Sequence, residues 1–182
     1  ITHDYSSYEN QNKFLEGTGS IVLDRNSKIA YCALSMRSSK ELFNKFCNDL
    51  DYQPVIFNSI YESKPIYHTN VLMSICNKFC IICLESIKNQ EEKNNVIKSL
   101  EDSELEIIEI SYNQMSNYLG NCIQLIDKYG NPILVMSTTA IESITSHQLN
   151  MISKHTDIIH SDIRTIEKYG GGSARCMIAE IF

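Results

Sequence analysis

The chain has 182 residues, 43% of them hydrophobic and 21% charged, enough to bury one sizeable core in a globular domain. A net charge of −6, an isoelectric point near 5.4 and the lack of a Lys/Arg cluster exclude a nucleic-acid surface and a polybasic membrane site, so neither partner is expected. The longest uncharged apolar run, Phe79 to Leu84, is far too short to span a bilayer, and the polar stretch Ile1 to Asn12 holds no signal-peptide core, so a cytoplasmic location is expected.

In chain order, Ser20 to Asp24 predicts a short strand, Arg25-Asn26-Ser27 a turn and Lys28 to Leu34 a second strand. Ser38-x-x-Glu41 reads as a capping box, and Leu42, Phe43, Phe46, Cys47 and Leu50 share one face of the helix that follows. Gln53 to Asn58, rich in β-branched and aromatic residues, predicts a strand. The same order recurs about fifty residues on. Strands Val71 to Cys76 and Phe79 to Glu85 flank a turn at Asn77-Lys78; then come the cap Asn89-x-x-Glu92, a helix carrying Val96, Ile97 and Leu100, and strand Leu105 to Ile110. It recurs again with Cys122 to Ile126, the turn Lys128 to Asn131, Pro132 to Ser137, the cap Thr139-x-x-Glu142, a helix to Lys154 and strand Asp157 to His160.

A ββαβ module is thus written three times, over residues 14–60, 67–112 and 119–161, which predicts an α/β fold built by radial or linear repetition. Residues 174–182 then predict one orphan strand, opened by Cys176. In a ring such a strand completes the first module and removes an exposed edge. Ile1 to Lys13 holds no module to receive it, so the chain is expected to be the C-terminal part of a longer protein. A fragment with two unpaired sheet edges is expected to aggregate or to pair as a homodimer.

Module position separates chemistry from packing. Glu16, in Phe14-Leu15-Glu16-Gly17-Thr18-Gly19, precedes the first strand of module one; His68, in Tyr67-His68-Thr69-Asn70, precedes that of module two; Leu119-Gly120-Asn121 holds the equivalent place in module three. Taken singly, Glu16 reads as a turn acid and His68 as a strand-edge histidine. If modules surround an axis, residues at one module position form a ring, so Glu16 and His68 are expected to converge, and Cys176 also begins a strand. A carboxylate, an imidazole and a thiol brought together divide the roles of orienter, acid/base and nucleophile. Gly170-Gly171-Gly172-Ser173 lets a ligand approach the main chain closely, which makes Gly171, Gly172 and Ser173 candidates for substrate contact. The alternative is a glycine turn before a core strand, with Cys176 buried.

The other cysteines read differently. Seven dispersed cysteines without an Asn-x-Ser/Thr acceptor argue against a secreted disulfide framework and for reduced thiols. Cys80 and Cys83 have CxxC spacing but fall on opposite faces of a strand, and with Cys32, Cys47, Cys76 and Cys122 they are assigned to the core. His155 and His160 are assigned surface or capping roles, and no phosphate-loop pattern is present.

Phe14 to Ser20, His68-Thr69-Asn70-Val71, Leu84-Glu85-Ser86-Ile87, Leu119-Gly120-Asn121 and Gly170 to Cys176 together resemble the guanidino-group-modifying enzymes, the pentein superfamily. The resemblance runs to the citrulline-utilisation hydrolase or amidinotransferase-like branch, related to arginine deiminases and dimethylargininases. It covers the chain from Phe14 onward, and it implies a pentein-type α/β propeller of five modules, of which this chain would hold about three as the C-terminal part of a single domain. It also implies Cys176 as covalent nucleophile, with Glu16 paired to His68, a small guanidino substrate, and no metal or organic cofactor. Many relatives carry an Asp, gripping the guanidinium, where this sequence has Asn70, which accepts hydrogen bonds but supplies no countercharge. The expected activity is a hydrolase acting on a guanidino or ureido carbon. The alternatives are an amidinotransferase, and a non-catalytic binding protein on the same fold, as in the ribosome anti-association factors.

Overall fold

A computed structural model describes residues 3–179. The chain divides into two compact units, Ile1–Val71 with Ser86–Ser103, and Leu72–Glu85 with Glu104–Phe182. The first contains α1 (Gly17–Ser20), β1 (Val22–Asp24), β2 (Ile29–Leu34), α2 (Lys40–Leu50), β3 (Gln53–Asn58) and the small hairpin β4 (Ile60–Tyr61) and β5 (Lys64–Pro65). After α3 (Thr69–Leu72), the chain forms β6 (Met73–Ile75) and β7 (Phe79–Ile82) of the second unit, contributes α4 (Gln90–Asp102) to the first, and returns as β8 (Glu106–Glu109). The second unit continues with α5 (Tyr112–Ser116), β9 (Ile123–Ile126), β10 (Pro132–Ser137), α6 (Thr138–Ser143), α7 (Ser146–Ser153), β11 (Asp157–Ser161) and α8 (Arg164–Gly170). A 3-10 turn, Ala174–Met177, follows.

Each predicted module forms its own three-stranded sheet, β1-β2-β3, β6-β7-β8 and β9-β10-β11. The middle strand is antiparallel to the strand before it and parallel to the one that returns after the helix. A two-residue turn cannot make a parallel connection, so a crossover helix is obligatory there. The middle strands β2 and β7 are buried on both faces, which is why they read as continuous apolar runs rather than as an alternating pattern.

In the first unit, Ile21, Ala30, Cys32, Phe43 and Cys47 form a core that Leu15, Leu34, Phe46 and Ile56 close over. On the other side of that sheet's edge, α4 packs on β3, and the Tyr31 hydroxyl lies 2.9 Å from Ser99 Oγ of α4. In the second unit the leading strands β6 and β9 lie together. Ser74 Oγ is 3.0 Å from Cys122 Sγ, and the Asn77 N–H donates to Gln124 Oε1 at 2.7 Å.

The expected capping boxes are corrected by where their glutamates go. Asn89 caps α4, accepting from the N–H groups of Glu91 and Glu92, but α2 starts after Ser39 without a side-chain cap, and α6 is capped by Ser137 rather than Thr139. Glu41 is drawn to Lys13 Nζ at 2.7 Å, Glu92 to the backbone and side-chain nitrogens of Asn58 at 2.8 Å, and Glu142 to Arg164 at 2.8 Å. The third helix is also broken at Ile144, because Thr145 starts α7 with its own capping box to Gln148. Strand Val71 to Cys76 shortens to β6 because α3 occupies its start.

The closing strand expected over 174–182 does not begin as a strand. Ala174–Met177 is a 3-10 turn in which the Cys176 N–H donates to Ser173 O at 3.0 Å, and residues 180–182 lie outside the described residues. Among the described residues, no helix is long and apolar enough to cross a membrane.

Candidate active site

The segment carrying Glu16 is a tight turn. Its φ of −82° and ψ of 59°, with the Gly17 N–H donating to Leu15 O at 2.9 Å, make an inverse γ-turn. Gly17 then takes a φ of +49°, which favours glycine. Gly19 is required for space, since a Cβ there would stand 2.8 Å from the His68 ring. The turn is strapped down by Ser20, whose Oγ accepts from the Glu16 N–H at 3.0 Å and donates to Arg37 O at 2.8 Å.

His68 is fixed through its neighbours. Ser35 Oγ donates to Tyr67 O at 2.7 Å, and buried Thr69 donates its hydroxyl to Ser20 O while accepting the Ala33 N–H at 2.8 Å. The imidazole therefore lies flat over Gly19, with Nε2 2.7 Å from Glu16 Oε2. A carboxylate only accepts, so Nε2 carries the shared proton, leaving Nδ1 to exchange one. The Arg37 guanidinium approaches the same Glu16 oxygen at 3.5 Å and lies over the Tyr67 ring. A cavity of about 540 Å³, lined by Phe14, Glu16, Met36, Arg37, Pro65 and Tyr67 among others, opens beside this pair. Asn70 follows on α3 and is buried.

The second unit holds the thiol. Gly171 ends α8 with a φ of +71°, and Gly172 has no room for a side chain, because a Cβ would stand 2.9 Å from Cys176 Cβ and 3.0 Å from its Sγ. Each glycine motif thus uses one glycine for backbone conformation and one for close approach to the adjacent functional side chain. Ser173 is buried, and its hydroxyl donates to Glu167 Oε1 at 2.6 Å. Asn121, just before β9, places Nδ2 at 3.3 Å and Oδ1 at 3.4 Å from Cys176 Sγ. The sequence sets Asn121 at the module position equivalent to Glu16 and His68, the one local signal that marks it, and its contact with the thiol arises only in the fold.

Cys176 is exposed while Cys32, Cys47, Cys76, Cys80, Cys83 and Cys122 are buried. Burial pushes the Cys32 and Cys80 thiols up to about 12 and those of Cys47 and Cys122 up to about 11. Because the thiolate is the reactive form, iodoacetamide should modify the native protein once, at Cys176, and the denatured protein at all seven cysteines. Peptide mapping that finds a buried cysteine labelled as fast as Cys176 would contradict this. His155 bonds Glu106 at 2.8 Å and stacks on Phe79, and His160 bonds Thr138, so both serve packing and surface contacts. Among the described residues, no group of three or more His, Cys, Asp or Glu is placed to hold a metal ion.

No curated protein matches the chain. Among solved structures, ArgZ, an arginine dihydrolase from the ornithine-ammonia cycle in cyanobacteria, superposes in its apo form with a TM-score of 0.71 at 15% identity, over 89% of this chain and 24% of that one. The N-terminal domain of ArgZ bound to substrate gives 0.70 at 17% identity over 88% of this chain and 54% of that one. Agmatine deiminase from C. jejuni gives 0.58 at 15% identity over 90% of this chain and 55% of that one. The chain therefore spans between about a quarter and a half of the length of these structures, and they show the shared fold. The family model described as N,N dimethylarginine dimethylhydrolase, eukaryotic, matches residues 1–182. With its full length matched, the chain belongs to the N,N-dimethylarginine dimethylhydrolase family of the pentein superfamily of guanidino-modifying enzymes.

Proposed function

We propose that the protein hydrolyses the guanidino carbon of an arginine-like compound through a covalent adduct on Cys176, with its three sheets as modules of a five-module propeller. The observation that carries this reading is the exposed Cys176 thiol, set against Gly172 and Asn121, in a chain whose other six thiols are buried. The Cys176 sulfur donates a lone pair to the planar carbon and the C=N π pair moves onto nitrogen. His68 Nδ1 then gives a proton to the departing amine, the C–N bond breaks, and a thiouronium adduct remains. Water, deprotonated by the same imidazole, adds to that carbon, and the C–S bond breaks to release the ureido product and the thiolate. Glu16, 2.7 Å from Nε2, fixes the ring so that Nδ1 faces away from the carboxylate. Gly171 and Gly172 contact the substrate beside Cys176, whereas Ser173 and Asn70, also expected to touch it, are buried.

The test offers arginine, dimethylarginine and agmatine to the protein and follows the ureido product with ammonia or dimethylamine. A second arm adds glycine and looks for guanidinoacetate, the product expected of amidino transfer. Turnover of at least one compound, lost in Cys176→Ala, supports the reading. No turnover and no adduct with a haloacetamidine probe would instead leave a binding protein.

Gly19→Ala gives a sharper expectation. The added methyl group must push the His68 ring aside, since it would lie 2.8 Å from it. A displacement of that size should lower turnover about 100-fold while leaving the rate of Cys176 alkylation unchanged, as read by steady-state kinetics beside intact-mass labelling.

A further inference from the structure

Resting on the reading of Cys176 as nucleophile, we propose that Asn121 is a further catalytic residue whose side-chain amide hydrogen-bonds the attacking sulfur. We propose Ser173 and Glu167 as positioning residues that hold that amide in place. Asn121 is only 3% exposed, and its backbone and side chain are both tied to the cysteine turn. Its carbonyl accepts the Arg175 N–H at 3.4 Å, and its Oδ1 accepts the Ser173 N–H at 3.2 Å. With Oδ1 committed to that backbone donor, Nδ2 is aimed at Cys176 Sγ, 3.3 Å away.

The two contacts of the amide with sulfur belong to different protonation states. A thiol can donate to Oδ1, at 3.4 Å, whereas a thiolate has no proton and can only accept from Nδ2. One side chain therefore serves the resting thiol, supports the thiolate before attack, and supports it again when the C–S bond breaks and sulfur leaves with the electron pair. Behind it, Glu167 is a carboxylate only 4% exposed. It accepts from Ser173 Oγ at 2.6 Å and Thr139 Oγ1 at 2.7 Å, while its backbone carbonyl accepts the Tyr118 hydroxyl at 3.1 Å. Burying a carboxylate is costly unless it is hydrogen-bonded, and these bonds fix Ser173, whose N–H orients Asn121. The charged residues of this turn and of α8 are Arg175, Arg164, Glu167 and Lys168, and none of them is altered in the Asn121 variants.

The experiment measures the rate of Cys176 alkylation by iodoacetamide against pH in the full chain. The variants are Asn121→Ala, Asn121→Asp, Ser173→Ala and Ser173→Thr, with the fold checked by circular dichroism. Asn121→Ala should react about tenfold more slowly at neutral pH and reach the same limiting rate at high pH, because a hydrogen bond to a charged group is lost. Asn121→Asp, the same size, should react more slowly still, since a carboxylate then faces the thiolate. Ser173→Ala should slow the reaction about threefold, and Ser173→Thr, which restores the hydroxyl, should recover it. A merely structural role would change all pH values alike.

An unmoved profile in folded Asn121→Asp would overturn the proposal even if Asn121→Ala failed to fold. The two readings fail separately. A protein that turns over no guanidino compound but shows the shifted profiles loses the hydrolase reading alone, and an active hydrolase with unshifted profiles loses the role of Asn121 alone.

Discussion

Cys176→Ala should lower turnover by about 10⁴-fold or more while leaving the substrate dissociation constant within a few-fold of wild type. The size follows from chemistry, because without sulfur no covalent adduct forms, and water must attack a resonance-stabilised guanidinium directly. The retention of binding follows from structure. The substitution removes one exposed atom and leaves the turn itself, which is held by Gly171, by Ser173 and its bond to Glu167, and by Asn121. Isothermal titration of Cys176→Ala with the substrate, beside a product assay at high enzyme concentration, reads both quantities. Ordinary turnover in this variant would remove the covalent mechanism.

His68→Ala should lower turnover about 10²- to 10⁴-fold, the usual range for loss of a positioned acid and base, yet leave Cys176 open to a halide-bearing amidine. The two outcomes separate because an amine must be protonated to leave whereas a halide need not be. Glu16→Gln should fall between wild type and His68→Ala. The amide still accepts from Nε2, so the ring stays oriented, but the negative charge beside it, 2.7 Å from the imidazole nitrogen, is gone. Product formation under single-turnover conditions, with the labelled fraction read by intact mass, distinguishes the three. Wild-type turnover in His68→Ala would eliminate its role as acid, and loss of labelling in that variant would show that the thiol depends on the imidazole for attack as well.

The sequence by itself determined the three ββαβ modules, because their signals are local. A hairpin turn, an amphipathic helix and a β-branched run are each written within a dozen neighbouring residues, and β3 and β10 have the predicted bounds Gln53–Asn58 and Pro132–Ser137. The glycine motifs were legible for the same reason, as was the contrast between Cys176 and the cysteines embedded in apolar runs. Tertiary structure decided what each side chain reaches. Glu41, Glu92 and Glu142 sit at the third position after the predicted caps Ser38, Asn89 and Thr139, but their carboxylates go to Lys13, Asn58 and Arg164, which lie 28, 34 and 22 residues from them in sequence. The apolar tail after Cys176 reads as a strand. Instead its start is wound into a 3-10 turn, with the thiol set against Asn121, 55 residues away. Why Gly19 and Gly172 must be glycine is likewise invisible locally, because the side chains that exclude a Cβ arrive only when the chain folds back, as the His68 ring does over Gly19. Local pattern records backbone preference, whereas hydrogen-bond partners and close contacts depend on which distant residues packing brings within about 3 Å.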